Sequence, residues 1–149
     1  MDTHEAYVAL DVAKLKNAVA IAEGGRSGEV RYLGETASTA AATHALVAKL
    51  AQKYERLTFC YEAGPTGYGL YRLIKSLGHD CLLVAPSLIP TKPGDRVKTN
   101  RRDAELMAKL LRAGELTAVW VPDERHEAMR ELARARDVAQ KDLRVKRQQ

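Results

Sequence analysis

The sequence predicts an α/β domain on a mixed sheet, an antiparallel β-meander followed by β-α-β-α-β crossovers, with a long helix at its C-terminal end. Two observations carry the sheet: three short apolar runs with tight connections open the chain, and later the apolar runs LTFCYE and DCLLVAP alternate with segments of helical spacing. A third carries the final helix, because from about Asp123 the chain runs EAMRELARARDVAQKDLRVKRQQ without a stop signal. At 149 residues and 46% hydrophobic, it is long enough for one substantial core. We therefore expect one catalytic-sized domain over 1–122 and, over 123–149, the start of a long helix leading to a further domain.

The first strand is YVALDV, Tyr7 to Val12; KNAVAIAEG from Lys16 and EVRYLGE from Glu29 follow as its meander partners. The turn at Ala13 to Leu15 is short, and GGRSG supplies hairpin chemistry for the next, so both pairings should be antiparallel. Thr39 to Tyr54, Ala-rich with Leu46, Val47 and Leu50 on one side, reads as a helix capped by Ser38 or Thr39. Strand LTFCYE, residues 57–62, runs into the turn AGPTG, which opens a helix through about Leu77 with Leu70, Leu73, Ile74 and Leu77 on one stripe. Gly78 stops it before DCLLVAP. Right-handed crossovers of this kind make the later strands parallel and buried, with a ligand site at their C-terminal ends.

Pro86 to Thr99 is an irregular, proline-rich loop. A helix carrying Asp103 then runs to about Arg112 and ends at Gly114; LTAVWVP is a short extended piece. In the final helix Met129, Leu132, Val138 and Leu143 form a sparse stripe, open between a lone surface helix and a coiled-coil seam joining copies into a dimer or tetramer. The apolar runs are too short to span a membrane, and MDTHEAYVALD has no secretion signal, so a soluble, cytoplasmic protein is expected. Cys60 and Cys81 stand alone in apolar runs and read as reduced core residues, which disfavours zinc.

The formal net charge is +5, and its excess is clustered. Lys92, Arg96, Lys98, Arg101 and Arg102 face only Asp95, and a second basic group fills the C-terminal helix from Arg134 to Arg147. Such clusters suit a nucleic-acid backbone, by neutralising phosphates and releasing counterions.

Three acids occupy places where the pattern asks for apolar residues. Asp11 ends the first strand, Glu62 ends the fourth, and Asp103 shares a helical stripe with Leu106, Met107 and Leu110. At equivalent ends of parallel neighbours, Asp11 and Glu62 project into one crevice. Carboxylates crowded there repel unless a divalent cation neutralises them, and oxygen-only ligation suits Mg²⁺ or Mn²⁺. Alternatives stay open for each: Asp11 starting a turn, Glu62 accepting from the next turn, and Asn100 with Asp103 serving only as helix cap and N3 partner.

The set VALDV, YEAGPTGYGLY, KTNRRDAELMAKLLRAGEL and VWVP, spanning Tyr7 to about Arg136, resembles the N-terminal domain of DEDD-type transposases of insertion-sequence family one-ten, relatives of Piv-type DNA invertases. The resemblance implies a RuvC-like ribonuclease-H fold and DNA strand cleavage and exchange. It also implies two divalent ions, Mg²⁺ or Mn²⁺, at catalytic and metal-binding Asp11, Glu62, Asn100 and Asp103. Where the family has a third Asp, this chain has Asn100, which offers only a neutral amide oxygen. Lys98, Arg101, Arg102 and Arg96 would hold flanking phosphates, and Thr66 would present backbone amides to an anion. A structured guide RNA and a serine from a C-terminal domain complete the picture. The alternatives are a RuvC-like structure-specific nuclease using water, and a nucleic-acid-binding module with a vestigial metal site. A sugar-kinase-like phosphotransferase is disfavoured, because Val12-Ala13-Lys14 supplies no phosphate-loop glycines.

Overall fold

The computed structural model describes residues 5–25, 28–64, 67–85, 100–121 and 124–148, apart from the side chains of Asn100 and of residues 124–128 and 142–148. The elements run β1 (Glu5–Asp11), β2 (Lys16–Glu23), β3 (Val30–Ala37), α1 (Ala40–Lys53), β4 (Arg56–Glu62), α2 (Gly69–Ser76), β5 (Asp80–Val84), α3 (Asn100–Ala113) and α4 (Glu124–Gln148). Two compact units divide them, Met1–Val119 and Trp120–Gln149.

The five-stranded sheet has the order β3-β2-β1-β4-β5. β2 pairs antiparallel with β1 and β3, while β1·β4 and β4·β5 are parallel. A meander followed by crossovers that place β4 and β5 beyond β1 is the ribonuclease-H-like arrangement. The parallel strands are buried on both faces, which is why they read as near-continuous apolar runs.

The two faces are packed differently. Toward α3 the sheet presents Ala9, Ala18, Ala20, Ala22, Cys60 and Val84, met by Ala104, Met107, Ala108 and Leu111 of the helix. Small residues on both sides let α3 approach closely. The alternate residues, including Val8, Leu10, Ile21, Leu57, Phe59, Tyr61 and Leu83, are larger and fully buried on the opposite face, as are Val47 and Leu50 of α1 and Ile74 of α2. Thr39 caps α1, its hydroxyl accepting from the Ala42 amide at 3.1 Å. On α2 only Ile74 of the expected stripe is buried; Leu70, Leu73 and Leu77 are half-buried.

A β-bulge in β3, where Val19 pairs with Gly34 and Ala20 with Tyr32, leaves Leu33 unpaired and exposed. Gly34 takes φ +97°, a conformation an L side chain resists. The bulge keeps Tyr32 and Val30 against the α3 face. After α3, Gly114 (φ +72°) turns the chain, and Ala118 bridges antiparallel to Val84 while the Val119 amide donates to Leu83 at 2.8 Å. The expected extended piece thereby covers the outer edge of β5.

Candidate active site

The last paired residues of β1·β4 are Leu10 and Tyr61. One step further lie Asp11 and Glu62, so the two acids end adjacent parallel strands side by side, on strands about 4.8 Å apart. Their common face follows from the two-residue period: Tyr7 and Ala9 on β1, and Cys60 on β4, all belong to the cluster against α3. Both acids are half-buried. Glu62 is held in line by its pairing with Val84, and the Ala63 amide donates to the Val84 carbonyl at 2.7 Å.

α3 runs antiparallel to β1. Near its C-terminus, Nη1 of Arg112 donates to the carbonyls of Glu23 (3.0 Å) and Gly28 (2.8 Å), and Glu23 pairs with Ala6 at the start of β1. A helix of 14 residues spans about 21 Å, so its first turn returns to the end of β1 that carries Asp11. Asp103 lies in that turn, where the positive end of the helix dipole favours an anion.

One expectation for α3 is corrected. The buried stripe is Ala104, Met107, Ala108 and Leu111, with Leu110; Leu106 is only half-buried, and half-buried Asp103 flanks the stripe instead of lying within it. Ala104, one position on, takes the sheet contact because its small side chain permits close approach. α3 is described from Asn100 onward, so the expected role of Asn100 as helix cap lies outside the described residues, as does its side chain.

Of the basic residues, Arg101 donates from Nε to Glu105 Oε1 at 2.9 Å and lies 5.3 Å from the Tyr32 ring centroid. Its side chain is still 67% exposed, so one face of the guanidinium is held while charge stays available at the surface. Arg102 is exposed. Thr66, Arg96 and Lys98 lie outside the described residues.

The sequence reading missed the groups that hold this end of the sheet in place. The Tyr61 hydroxyl, wholly buried, donates to the Gly67 carbonyl and accepts from the Tyr71 amide, both at 3.1 Å, tying the turn after Glu62 to α2. Burial pushes its phenol up to about 12. Asn17, also buried, accepts from the Ala13 amide at 3.2 Å and closes the β1–β2 turn. On the face away from α3, a cavity of about 330 Å³ lies between Val12, Asn17, Ser38, Thr43, Leu70 and Leu73. A tyrosine in an apolar run and an asparagine after a short turn have ordinary explanations in sequence, so no local signal marks either.

Among the described residues, no group of three His, Cys, Asp or Glu side chains is close enough to hold a metal ion. The oxygen-only donors nevertheless fit Mg²⁺ or Mn²⁺. Mg²⁺ ordinarily takes one or two protein carboxylates and fills its remaining positions with water and phosphate oxygens, which the adjacent pair Asp11 and Glu62 satisfies.

The chain belongs to the IS110-type DEDD transposase family, whose model, described as Transposase, matches residues 8–149. It is 67% identical over 148 residues to the candidate transposase y4qE of Sinorhizobium fredii (strain NBRC 101917 / NGR234), covering 99% of this chain and 38% of that protein. It is 43% identical over 103 residues to the transposase for insertion sequence element IS1533 of Leptospira borgpetersenii, covering 68% of this chain and 30% of that protein. The chain thus spans well under half the length of these relatives. Among solved structures it is similar to Thermus thermophilus RuvC, at TM-score 0.49 and 10% identity over 76% of this chain and 99% of that one. It is also similar to T. thermophilus RuvC in complex with a Holliday junction substrate, at TM-score 0.47 and 9% identity over the same shares. No helix among the described residues is long and apolar enough to cross a membrane.

Proposed function

We propose that this chain is the metal-dependent catalytic domain of a DNA transposase or site-specific recombinase, with its reaction centre where Asp11, Glu62 and the first turn of α3 meet. The observation that carries the reading is the placement of Asp11 and Glu62 at adjoining parallel strand ends, on the α3 face, in a chain of a transposase family.

Asp11 and Glu62 would hold Mg²⁺ or Mn²⁺ between them, with Asp103 and the amide oxygen of Asn100 closing the site from α3. The cation, when bound, would neutralise the carboxylates and polarise a scissile phosphate. Arg101 and Arg102 would bind flanking phosphates, with Arg96, Lys98 and Thr66 completing the anion contacts from the neighbouring loops. In the whole protein the same reading includes a serine nucleophile from a C-terminal domain over which DNA strands exchange, a structured guide RNA, and association of copies through α4, whose Met129, Leu132 and Val138 are exposed. A division at residue 122 between catalytic domain and connecting helix belongs to it too.

A second reading, a nucleic-acid-binding module with a vestigial metal site, is favoured by Asn100 standing where the family has an acid, and by the lack of a tight group of three ligands among the described residues. Titration of the chain with Mn²⁺, beside Asp11→Ala and Asn100→Asp, separates the two. The catalytic reading expects Asp11→Ala to weaken binding by more than the roughly 10–100-fold that outer-shell partners contribute, and Asn100→Asp to tighten it. Equal affinity in all three chains would overturn the metal site; no Mn²⁺ binding with retained RNA binding would establish the vestigial module.

A further inference from the structure

We propose that the β1–β2 turn is a wedge that enters a nucleic-acid duplex and unstacks a base step beside the strand-end acids, with Leu15 as the inserted side chain and Lys14 and Lys16 as phosphate contacts on either side. This rests on the nucleic-acid reading above and adds a structural element to it.

Leu15 is 78% exposed, more than any other large apolar residue among those described. A single exposed leucine is ordinary on a protein surface; this one is set apart by its mounting. The Ala13 amide donates to Asn17 Oδ1 at 3.2 Å, the Ser38 hydroxyl to the Lys14 carbonyl at 2.7 Å, and the Ser38 amide to the Leu15 carbonyl at 3.0 Å. Asn17 is itself buried. Backbone on both sides of the Leu15 side chain is therefore fixed to the body of the domain, so the tip can transmit force to what it touches. Nothing in the turn requires leucine: tight hairpin connections favour Gly, Asn or Asp, and Leu15 covers no core.

Charge and position select the partner. Lys14 and Lys16 are both exposed, giving the order cation, apolar tip, cation, which matches a base step between backbone phosphates. Proteins that kink or open duplexes insert leucine and similar side chains in this manner. The turn continues β1 directly beyond Asp11, and four residues reach at most roughly 14 Å, about four nucleotide rises of 3.4 Å. A base step opened by Leu15 would then lie within a few nucleotides of the phosphate presented to Asp11 and Glu62.

The test uses the 149-residue chain and short duplexes carrying 2-aminopurine at TA steps, which unstack readily. Anisotropy measures binding, and base fluorescence is read at saturating protein so that affinity does not enter. The wild-type chain should raise the fluorescence, and Leu15→Ala should lose that rise while binding and unfolding at the same temperature as wild type. Lys14→Gln with Lys16→Gln should weaken binding and reduce the salt slope by about 1.8, or 0.9 per phosphate contact. Binding with equal fluorescence from wild type and Leu15→Ala would overturn the wedge and leave the nucleic-acid reading standing. Absence of binding to any duplex at low salt would overturn both. Lost self-association in Leu15→Ala, with base fluorescence unchanged, would assign the tip to a protein interface and also overturn the wedge.

Discussion

Tyr61 is the residue on which the position of Glu62 most directly depends. Its ring fills the face of the sheet away from α3, and its hydroxyl, held between the Gly67 carbonyl and the Tyr71 amide, fixes the turn that follows the acid. Tyr61→Phe keeps the ring but leaves those two backbone groups without that partner, a loss of about 1–3 kcal/mol to be read from urea unfolding. An unchanged midpoint would show that water replaces the hydroxyl at no cost. The same scale explains what was legible about the acids. Asp11 and Glu62 stood out because each ends an apolar run, and their register as neighbours matches that expectation. Asp103 was harder to place: a helical stripe read from spacing is uncertain by one position, and the tight Ala104 contact displaced it to the margin of the buried face.

At the level of elements, α3 matters most to the proposed site, because its first turn carries Asp103. Its depth is set by alanines: Ala104 and Ala108 are fully buried against Ala9, Ala18 and Ala20. Ala108→Leu would force extra methylenes into that layer, costing about 1–3 kcal/mol and lifting the first turn of α3 away from β1. Thermal unfolding should detect the loss, and Mn²⁺ affinity should fall with it; a destabilised variant with undiminished affinity would separate Asp103 from the metal site. Arg112 secures the other end of the helix to the carbonyls of Glu23 and Gly28, a contact between residues far apart in sequence that no local pattern announces.

For the molecule as a whole, burial of weak acids in the sheet gives stability a definite pH dependence. Burial raises the Cys81 thiol from 9.0 to about 12 and the Tyr61 phenol from 10.0 to about 12, and it raises the Cys60 thiol further. The unfolded chain therefore ionises first as pH climbs. The stabilisation is complete below about pH 9 and is lost progressively toward pH 12, at up to about 1.4 kcal/mol per pH unit for each group titrating only in the unfolded chain. Urea midpoints should be level near neutrality and fall above about pH 9, less steeply in Cys81→Ala; a flat profile to pH 11 would contradict the buried placement. The sequence by itself determined the succession of elements, the antiparallel opening, the parallel neighbours and the two strand-end acids, because two-residue alternation, apolar runs and turn residues act over short stretches. Tertiary structure alone decided which face of the sheet receives α3, how deeply that helix sits, and hence that Asp103 stands at the margin of its buried face. A strand has two faces that its own alternation does not rank; only packing, with alanines on one side and bulky side chains on the other, distinguishes them.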